Sequence, residues 1–254
     1  MSNRFLKRLI FGVFYLAIFG GLSYSIYLLG IRGEASCFDG RKNQSESGID
    51  CGGSCLSCEL KNLSPISFFG EPEILPINEE SAAVFFQIKN PNESYGAKSF
   101  QYVLIFYDAD GLKIKEVSGS TFIYPGRIKT IVEVPIVIAS ERVASVDLKV
   151  AGVDWSSAAE FGEPSIQSRN VKIEFPQKNQ VKVTGLILNN NSFPLSSADI
   201  VVAVSDKLGI KVSASKTVVR DLEPFHERAF NVFLPLRGQF IDSTATKVFV
   251  EAIR

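Results

Sequence analysis

The chain has a single histidine, His226, so the side chain that most often carries general acid–base chemistry is nearly missing. A Ser-His-Asp triad or a zinc site built on histidine would have to use this one residue. No G-x-S-x-G elbow, P-loop, Rossmann fingerprint or H-E-x-x-H motif occurs in the sequence. His226 follows Pro224-Phe225, a pattern typical of a surface turn, and we therefore expect no catalytic site and no enzymatic activity.

An excess of charge of one sign is also lacking. Lys plus Arg number 27 and Asp plus Glu number 27, so the formal net charge is zero. Without a basic excess the chain has no electrostatic footprint for phosphates, which excludes nucleic acid as a class of partner. Methionine and tryptophan occur once each, whereas phenylalanine occurs 20 times and tyrosine 7 times. This composition favours β-sheets over helix bundles.

Residues 9–31 form a long apolar stretch that contains no charged residue. A helix of this length crosses a hydrocarbon core about 30 Å thick. Arg8 and Arg32 bracket the stretch, so the sequence predicts a transmembrane helix that remains as a signal anchor. The alternative is a cleaved signal peptide, whose apolar core is usually only about 7–15 residues long. Residues 34–36, Glu-Ala-Ser, are a weak candidate for its cleavage site.

Basic residues on the two sides of this stretch predict its orientation. Arg4, Lys7 and Arg8 precede it, as the positive-inside rule requires of a cytoplasmic N-terminus, although Arg32 and two further basic residues weaken the asymmetry. The cysteines that follow favour an oxidising compartment. We therefore predict a single-pass protein of the cell membrane, with residues 1–8 in the cytoplasm and the C-terminal region extracytoplasmic. The lipid bilayer is then one partner, through one helix.

All four cysteines lie in one short segment, residues 32–59. The segment has almost no core-forming residues, so covalent links have to hold it. We predict two disulfides, and the sequence leaves their pairing open. A zinc site of four thiolates usually has two C-x-x-C pairs, and only one is present; a redox C-x-x-C would lack its usual βαβ unit. The cysteines are Cys37, Cys51, Cys55 and Cys58.

Four oxygen-bearing side chains are spaced through the same segment: Asp39, Asn43, Glu46 and Asp50. The segment resembles a short motif, Cys-x-Asp-Gly…Asp-Cys-Gly-Gly-x-Cys, that recurs in secreted and surface proteins. The resemblance implies an extracellular location and no particular activity. Oxygen ligands on a glycine-rich loop suit Ca²⁺, so calcium is a candidate cofactor held by these residues, although their spacing is not that of an EF-hand. The alternative is that the four side chains only cap turns.

Beyond the last cysteine, short apolar runs alternate with turn residues, and no long helical periodicity occurs. The lengths and spacing of the runs predict an all-β architecture built from β-sandwiches. The predicted strands are 82–89, 100–108, 129–135 and 145–150 in the first half, and 171–175, 181–188, 200–205, 210–215, 229–234 and 247–253 in the second.

The two halves of this region repeat each other. The run Asn-Pro-Asn at residues 90–92 ends a strand in the first half, and Asn-Asn-Asn at 189–191 does so in the second. Asp108 and Asp110 lie in a hairpin turn whose equivalent begins at Asp206, and this placement favours a structural role over a catalytic pair of carboxylates. The offset of 98 to 100 residues indicates two duplicated domains.

The order of these features resembles the FxLYD and LEA14-like family of β-sandwich modules. The first half matches through Asn-Pro-Asn at 90–92, Tyr-Asp-Ala-Asp-Gly at 107–111 and Pro-Gly at 125–126. The second half departs, because Ser205 replaces the aromatic residue and Phe225 replaces the glycine. The resemblance implies two tandem Ig-like or LEA14-like sandwiches, and it implies non-catalytic modules on or near the cell surface.

These observations predict sandwich 1 over residues 60–155, a linker over 156–165 and sandwich 2 over 166–254. Tandem modules on an anchor, without catalytic motifs, predict a membrane-bound extracytoplasmic binding or scaffolding protein with a protein partner at the cell envelope. The alternative is an accessory subunit of a secretion, pilus or transport complex, in which Gly20 and Gly21 let the helix pack against others. The sequence names neither the ligand nor the oligomeric state.

Overall fold

The computed structural model describes residues 3–27, 36–43, 45–238 and 240–254, which form two compact units. The first unit, Met1–Leu63, contains the apolar helix and the cysteine segment. The second unit, Ser64–Arg254, contains the β-strands. The predicted all-β class is therefore confirmed for the part of the chain that follows the cysteines.

Helix α1 spans Asn3–Ile26. Within it, Leu6–Ile26 has a mean hydropathy of 1.9, and none of its most apolar window is buried. A helix of this length and composition could anchor in a membrane, as a retained anchor or as a signal sequence. Residues 28–31 of the predicted span lie outside the described residues, as do Arg32 and residues 34–35 of the weak cleavage site.

Helix α2 is a single turn, Cys58–Lys61, at the end of the first unit. Ser57 caps it, because its side-chain oxygen accepts a hydrogen bond of 3.3 Å from the backbone N–H of Leu60. Such a cap satisfies one of the N–H groups that the first turn of a helix leaves without a partner.

The second unit consists of antiparallel strands and one short 3₁₀ turn, Ser140–Arg142. The strands are β1 (Ser67–Phe68), β2 (Glu73–Pro76), β3 (Ser81–Lys89), β4 (Tyr95–Tyr107), β5 (Lys113–Ile123), β6 (Ile128–Val137), β7 (Ser145–Ser157), β8 (Ile166–Gln177), β9 (Gln180–Asn189), β10 (Leu195–Ser205), β11 (Lys211–Leu222), β12 (Glu227–Pro235) and β13 (Asp242–Ile253).

Sandwich 1 contains β1 to β7 in two sheets. Strand β3 pairs with β1, β2 and β6 in one sheet, and β4 pairs with β5 and β7 in the other. Alternate side chains of the two central strands meet between the sheets, because successive residues of a strand point to opposite faces. Val84 and Phe86 from β3 and Leu104 and Phe106 from β4 are each at most 1% exposed there.

Sandwich 2 contains β8 to β13 and repeats this arrangement. Strand β9 pairs with β8 and β12 in one sheet, and β10 pairs with β11 and β13 in the other. Val183 and Ile187 from β9 and Ile200 and Val202 from β10 are fully buried between the sheets. The sheet built on β9 is thus the equivalent of the sheet built on β3, and the sheet built on β10 is the equivalent of the one built on β4.

Each of the predicted strands corresponds to a strand of the structure. The sequence pattern does not predict β1, β2 or β5. Strand β5 carries lysine, glutamate, serine and threonine at most positions and is only partly buried, so its hydrophobic pattern is weak. Strand β7 continues to Ser157 and β8 begins at Ile166, so residues 158–165 connect the two sandwiches.

A buried asparagine closes one end of sandwich 1. Asn90 is 0% exposed, and its side-chain amide donates hydrogen bonds to the carbonyls of Tyr95 at 2.7 Å and Tyr124 at 3.1 Å. Its side-chain oxygen accepts a hydrogen bond of 3.0 Å from the backbone N–H of Asn92. One side chain therefore satisfies several backbone groups that the loop leaves without ladder partners.

Asn189 does the same in sandwich 2. It is also 0% exposed, and its amide donates to the carbonyls of Phe193 at 2.9 Å and Leu222 at 3.0 Å. Its oxygen accepts a hydrogen bond of 2.9 Å from the backbone N–H of Asn191. The same buried polar network therefore recurs at equivalent positions of the two sandwiches, and duplication of the domains stays a prediction.

The hairpin turns of the two sandwiches also match. Asp108 and Asp206 each accept hydrogen bonds from the backbone N–H groups two and four residues further along, at 2.8 to 3.0 Å. Gly111 and Gly209 complete the turns with φ of 76° and 81°, a conformation that favours glycine. These contacts give Asp108 a turn-forming role, in agreement with the structural alternative for Asp108 and Asp110.

Candidate functional site

The cysteine segment is closed by two disulfides, Cys37–Cys55 and Cys51–Cys58, with Cα–Cα distances of 5.6 and 4.8 Å. The structure thereby supplies the pairing that the sequence leaves open. With all four sulfurs in disulfides, no thiolate is left for zinc or for a redox C-x-x-C motif.

The four predicted calcium ligands take part in local hydrogen bonds within this segment. The side-chain amide of Asn43 donates to Asp39 at 2.7 Å, and Glu46 accepts from the backbone N–H of Asn43 at 3.1 Å. Asp50 accepts from the backbone N–H of Gly40 at 3.0 Å. The hydrogen bond from the Arg41 backbone is the main reason that the pKa of Asp39 lies below its usual range.

These hydrogen bonds are of the turn-capping kind that the alternative to calcium binding predicts for the four side chains. Among the described residues, no group of three or more His, Cys, Asp and Glu side chains is arranged to hold a metal ion. Calcium binding by Asp39, Asn43, Glu46 and Asp50 stays a prediction.

The two sandwiches pack against each other through one sheet from each. Val84 and Phe86 of β3 face the core of sandwich 1, so Ala83 and Phe85 point out of the opposite face. That face contacts the outer face of the β10 sheet of sandwich 2, to which Val201 and other residues belong. Both contacting sheets are consequently buried on two faces, which explains the nearly continuous apolar runs of β3 and β10.

We call this contact region the sandwich interface. Its centre is apolar, and most of its side chains are less than a tenth exposed. Interfaces between domains of one chain are more often polar and allow movement. The buried residues of the interface are Leu75, Ala83, Phe85, Val132, Val201, Ala203 and Ala214, with Ile77, Val134 and Phe249 partly buried beside them.

The interface uses non-equivalent sheets of the two sandwiches, so further copies could in principle stack in the same way. The outer faces left free have polar residues that oppose this. Phe85 pairs with Val132 at the interface, whereas their equivalents on the free face of sandwich 2 are the pair Thr184 and Asn231. A further sandwich stacked on this face would have to bury those two polar side chains.

Lys129 lies at the edge of the interface, on β6, with a side chain only 3% exposed. Its Nζ is 3.2 Å from a carboxylate oxygen of Asp199 on β10 and 3.1 Å from one of Glu251 on β13. It also lies 3.5 Å from the centre of the Phe122 ring. The cation of one sandwich is thus held by two carboxylates of the other and by an aromatic face. We call these three charged residues the Lys129 cluster.

Glu251 and Asp199 stand directly opposite each other on paired strands. Burial raises the pKa of Glu251 above its ordinary range, and the neighbouring Asp199 charge acts in the same direction, while Lys129 acts against it. The sequence contains little to identify this cluster. Lys129 occurs at the start of a predicted strand, where a lysine is normally exposed.

A second group of charges crosses the interface near a cavity of about 200 Å³. Glu133 of sandwich 1 contacts Lys216 of sandwich 2 at 3.1 Å, and it accepts a hydrogen bond from the Tyr102 hydroxyl. Burial raises the pKa of Tyr102 far above its usual range, so this phenol stays protonated and donates. Lys129 and Asp199 also line the cavity.

Tyr124 of sandwich 1 makes a third contact with sandwich 2 and also packs on the connecting segment. The Tyr124 hydroxyl donates a hydrogen bond of 2.5 Å to the carbonyl of Ala252 in sandwich 2. The Tyr124 ring stacks on Phe161 of the connecting segment, with 4.6 Å between ring centres. The buried tyrosine thereby has both a packing partner and a hydrogen-bond acceptor.

The single histidine takes no part in these groups. His226 is exposed in the turn before β12, and its Nδ1 lies 2.8 Å from the carbonyl of Pro224. Its own carbonyl accepts a hydrogen bond of 3.1 Å from the backbone N–H of Asn189. This geometry agrees with the predicted surface turn.

No family model matches the sequence, and no curated protein does. Comparison with solved structures finds a likeness to red sea bream transglutaminase at 11% identity and a TM-score of 0.21. The match covers 73% of this chain and 32% of that one, so this chain spans about a third of the length of the protein it resembles. A likeness of this size carries no argument about function.

Proposed function

We propose that this protein is a membrane-anchored, extracytoplasmic binding or scaffolding protein without catalytic activity. Its two sandwiches act as one rigid body that a partner at the cell envelope recognises. The observation that carries the proposal is the sandwich interface, with its apolar centre and the ion pairs of Lys129 and Lys216 at its margins.

A rigid pair of sandwiches suits a binding role for an energetic reason. Loops on freely jointed modules lose orientational freedom when a partner fixes them, and this loss weakens binding. The sandwich interface removes that freedom in advance, so loops of both sandwiches keep a fixed spacing. The hairpin tips are examples, since Leu112 is 64% and Leu208 is 84% exposed.

The apolar helix and the disulfides support the location in the proposal. The helix could hold the chain in a bilayer. Two disulfides in a segment with almost no core are typical of oxidising compartments outside the cytoplasm.

Cysteine labelling in intact cells tests this location. A membrane-impermeant maleimide should leave the four cysteines unmodified until an impermeant reductant is added, and should then modify all four. A cytoplasmic cysteine engineered at Ser2 is the control and should stay unmodified in both conditions. Labelling of the natural cysteines only after cell lysis would contradict the proposal.

Photo-crosslinking in intact cells tests the binding role. A photoreactive residue at Leu208 or Leu112 should give a discrete adduct with a partner. Phe85→Ala, which weakens the sandwich interface, should reduce the adduct, whereas Phe233→Ala on a free face should not. Failure to obtain an adduct from any exposed hairpin tip or loop would count against a partner.

A specific feature of α1 favours a second function, that of an accessory subunit in a membrane complex. Gly20 and Gly21 are adjacent to open space, since a Cβ added at either would meet nothing within 4 Å. Small residues allow close approach of another helix. Replacing α1 by an unrelated transmembrane helix separates the two functions: binding by the sandwiches should survive the exchange, whereas assembly through the helix should fail.

A further inference from the structure

The Lys129 cluster places a buried amine in contact with two carboxyl groups. The Lys129 side chain is 3% exposed, that of Glu251 20% and that of Asp199 37%. The nitrogen lies within 3.2 Å of an oxygen from each acid. Asp199 on β10 and Glu251 on β13 are paired within sandwich 2, and Lys129 on β6 reaches them only when the two sandwiches pack.

We propose that Lys129 and Asp199 join in a covalent amide bond that crosslinks the two sandwiches, with Glu251 as the proton shuttle. The bond is a modification of the folded chain and does not depend on the function proposed above.

The reaction needs no external reagent. The ammonium of Lys129 and the carboxylate of Asp199 together contain the atoms of one amide and one water. The Lys129 ammonium passes one proton to the carboxylate of Asp199, which leaves a neutral amine and a neutral acid. Nζ then attacks Cγ of Asp199, Glu251 takes a second proton from the nitrogen and gives its own proton to the departing oxygen, and the new C–N bond replaces the C–O bond as water leaves. Glu251 therefore ends the reaction unchanged.

Glu251 and the Phe122 ring provide a proton shuttle and limit the access of solvent to the reacting atoms. Glu251 is the better shuttle of the two acids because it is the more buried, and its pKa is raised. The Phe122 ring covers the nitrogen on another side and excludes solvent. The adjoining cavity of about 200 Å³ has room for the released water.

Asp199 is the acceptor because it lies on the central strand of its sheet, where its backbone is held on both sides. It pairs with Val218 of β11 as well as with Glu251 of β13, so its backbone is held on both sides. An acceptor fixed in this way holds its carboxyl carbon in reach of Nζ without further ordering of the chain. The crosslink would connect β6 of sandwich 1 to the central strand of sandwich 2.

Intact mass spectrometry of the purified full chain, denatured and reduced, decides the proposal. Amide formation lowers the mass by one water, about 18 Da, and the deficit must persist after the disulfides are reduced. Trypsin should then fail at Lys129 and should yield a branched peptide that joins this residue to residues 183–207, which contain Asp199.

Three variants serve as controls for the assignment. Lys129→Arg and Glu251→Gln should each show the mass calculated from the variant's own sequence, without the loss of water. The first substitution removes the amine, and the second removes the shuttle. Asp199→Asn loses ammonia in place of water, so its product should have the same mass as the crosslinked wild type. A wild-type mass without the deficit overturns the proposal and leaves an ion cluster only. A branched peptide that contains Glu251 in place of Asp199 overturns the assignment of the acceptor.

Discussion

The rings of Phe85 in sandwich 1 and Phe249 in sandwich 2 lie 6.0 Å apart between their centres, inclined at 55°. Phe85 is 3% exposed, as a residue in a domain core would be. The contact therefore joins the two sandwiches by the same packing that holds each sandwich together.

Phe85→Ala should lower the free energy of unfolding by about 3–5 kcal/mol, because the substitution leaves a cavity in a well-packed apolar site. We expect the single unfolding transition of the two sandwiches to separate into two transitions, because the substitution removes much of the apolar contact that couples them. Chemical denaturation followed by fluorescence of Trp155, which lies in sandwich 1, and by circular dichroism of the whole chain measures both effects.

Phe233→Ala is the matched control for this experiment. Phe233 is the same type of residue on a strand of sandwich 2, but it lies on a free face and is 48% exposed. Its replacement should change the free energy of unfolding by only about 0.5 kcal/mol. Equal losses in the two variants would show that the sandwich interface contributes nothing special to stability.

Asn189→Ala should also destabilise the protein strongly, although it removes no apolar contact. The carbonyls of Phe193 and Leu222 would lose their donor in a buried place, and each such group costs about 1–3 kcal/mol. Asn190→Ala is the control, because Asn190 is exposed and its backbone N–H donates a hydrogen bond that the substitution keeps. Thermal unfolding of the two variants should differ clearly, and similar curves would contradict the clamp role of Asn189.

The sequence predicts the strands well because each sandwich core needs alternating apolar residues, and these are visible in β3, β4, β9 and β10. It also predicts the asparagine-rich strand ends, since Asn90 and Asn189 recur in matching turns. It does not show that these two side chains are fully buried, because burial depends on which loops cover them. Strand β5 is not predicted, because one of its faces is exposed to water. Its many polar residues obscure the alternation of apolar and polar positions.

The sandwich interface and the Lys129 cluster are the parts that sequence reasoning does not reach. Phe85 and Val201 are apolar residues in apolar strands, and nothing in the pattern separates a second buried face from an extended core. Lys129 and Glu251 are far apart in the chain and meet only through the packing of two domains. A contact between residues so far apart in the chain leaves no periodic pattern in the sequence from which it could be predicted.

Stability should respond to pH through Glu251. In the background Asp199→Ala, which prevents the crosslink and keeps the Lys129 contact, Glu251 retains its proton in the folded state to a higher pH than in the unfolded state. Between the ordinary pKa of 4.5 and the raised pKa, the folded state therefore binds more protons than the unfolded state. The free energy of unfolding then decreases as the pH rises through this range. Denaturation at a series of pH values measures this slope.

Adding Glu251→Gln to the same background removes the titrating group and should flatten the slope. The other charges that face Glu251 are Lys129 on β6 and Glu163 in the connecting segment, and both remain in the two proteins under comparison. A slope that is unchanged by the second substitution would assign the pH dependence to another group.

Reduction of the disulfides should leave the sandwiches intact. Both disulfides lie within the first unit, and no cysteine occurs in Ser64–Arg254. We expect that dithiothreitol makes the segment from Cys37 to Cys58 sensitive to protease while the unfolding of the sandwiches stays the same. A lower unfolding temperature of the sandwiches after reduction would contradict this.

The same experiment with a chelator tests calcium. If the predicted calcium site forms, added Ca²⁺ should slow the reduction of the disulfides, and a chelator or Asp39→Asn should remove that protection. A rate that responds to neither would leave Asp39 and Asp50 with only their turn-capping hydrogen bonds.

Phe225→Gly should stabilise the protein, which is unusual for removal of a large side chain. Phe225 has φ of 58°, and its equivalent in sandwich 1 is Gly126 with φ of 66°. The left-handed conformation costs a residue with a Cβ about 1–2 kcal/mol, and glycine avoids that cost. Little packing is lost because Phe225 is 66% exposed, whereas the more flexible unfolded chain offsets part of the gain.

We therefore expect a net stabilisation of about 0.5–1 kcal/mol for Phe225→Gly, measured as a shift of the denaturation midpoint without a change in slope. Gly126→Ala is the reciprocal control and should destabilise, because it introduces the same strain in sandwich 1 while its added Cβ would stay 3.5 Å from Glu93 and meet no clash. Conversely, a destabilised Phe225→Gly would mean that the exposed ring is held by a contact worth more than its backbone strain. That ring would then be a place to look for the partner.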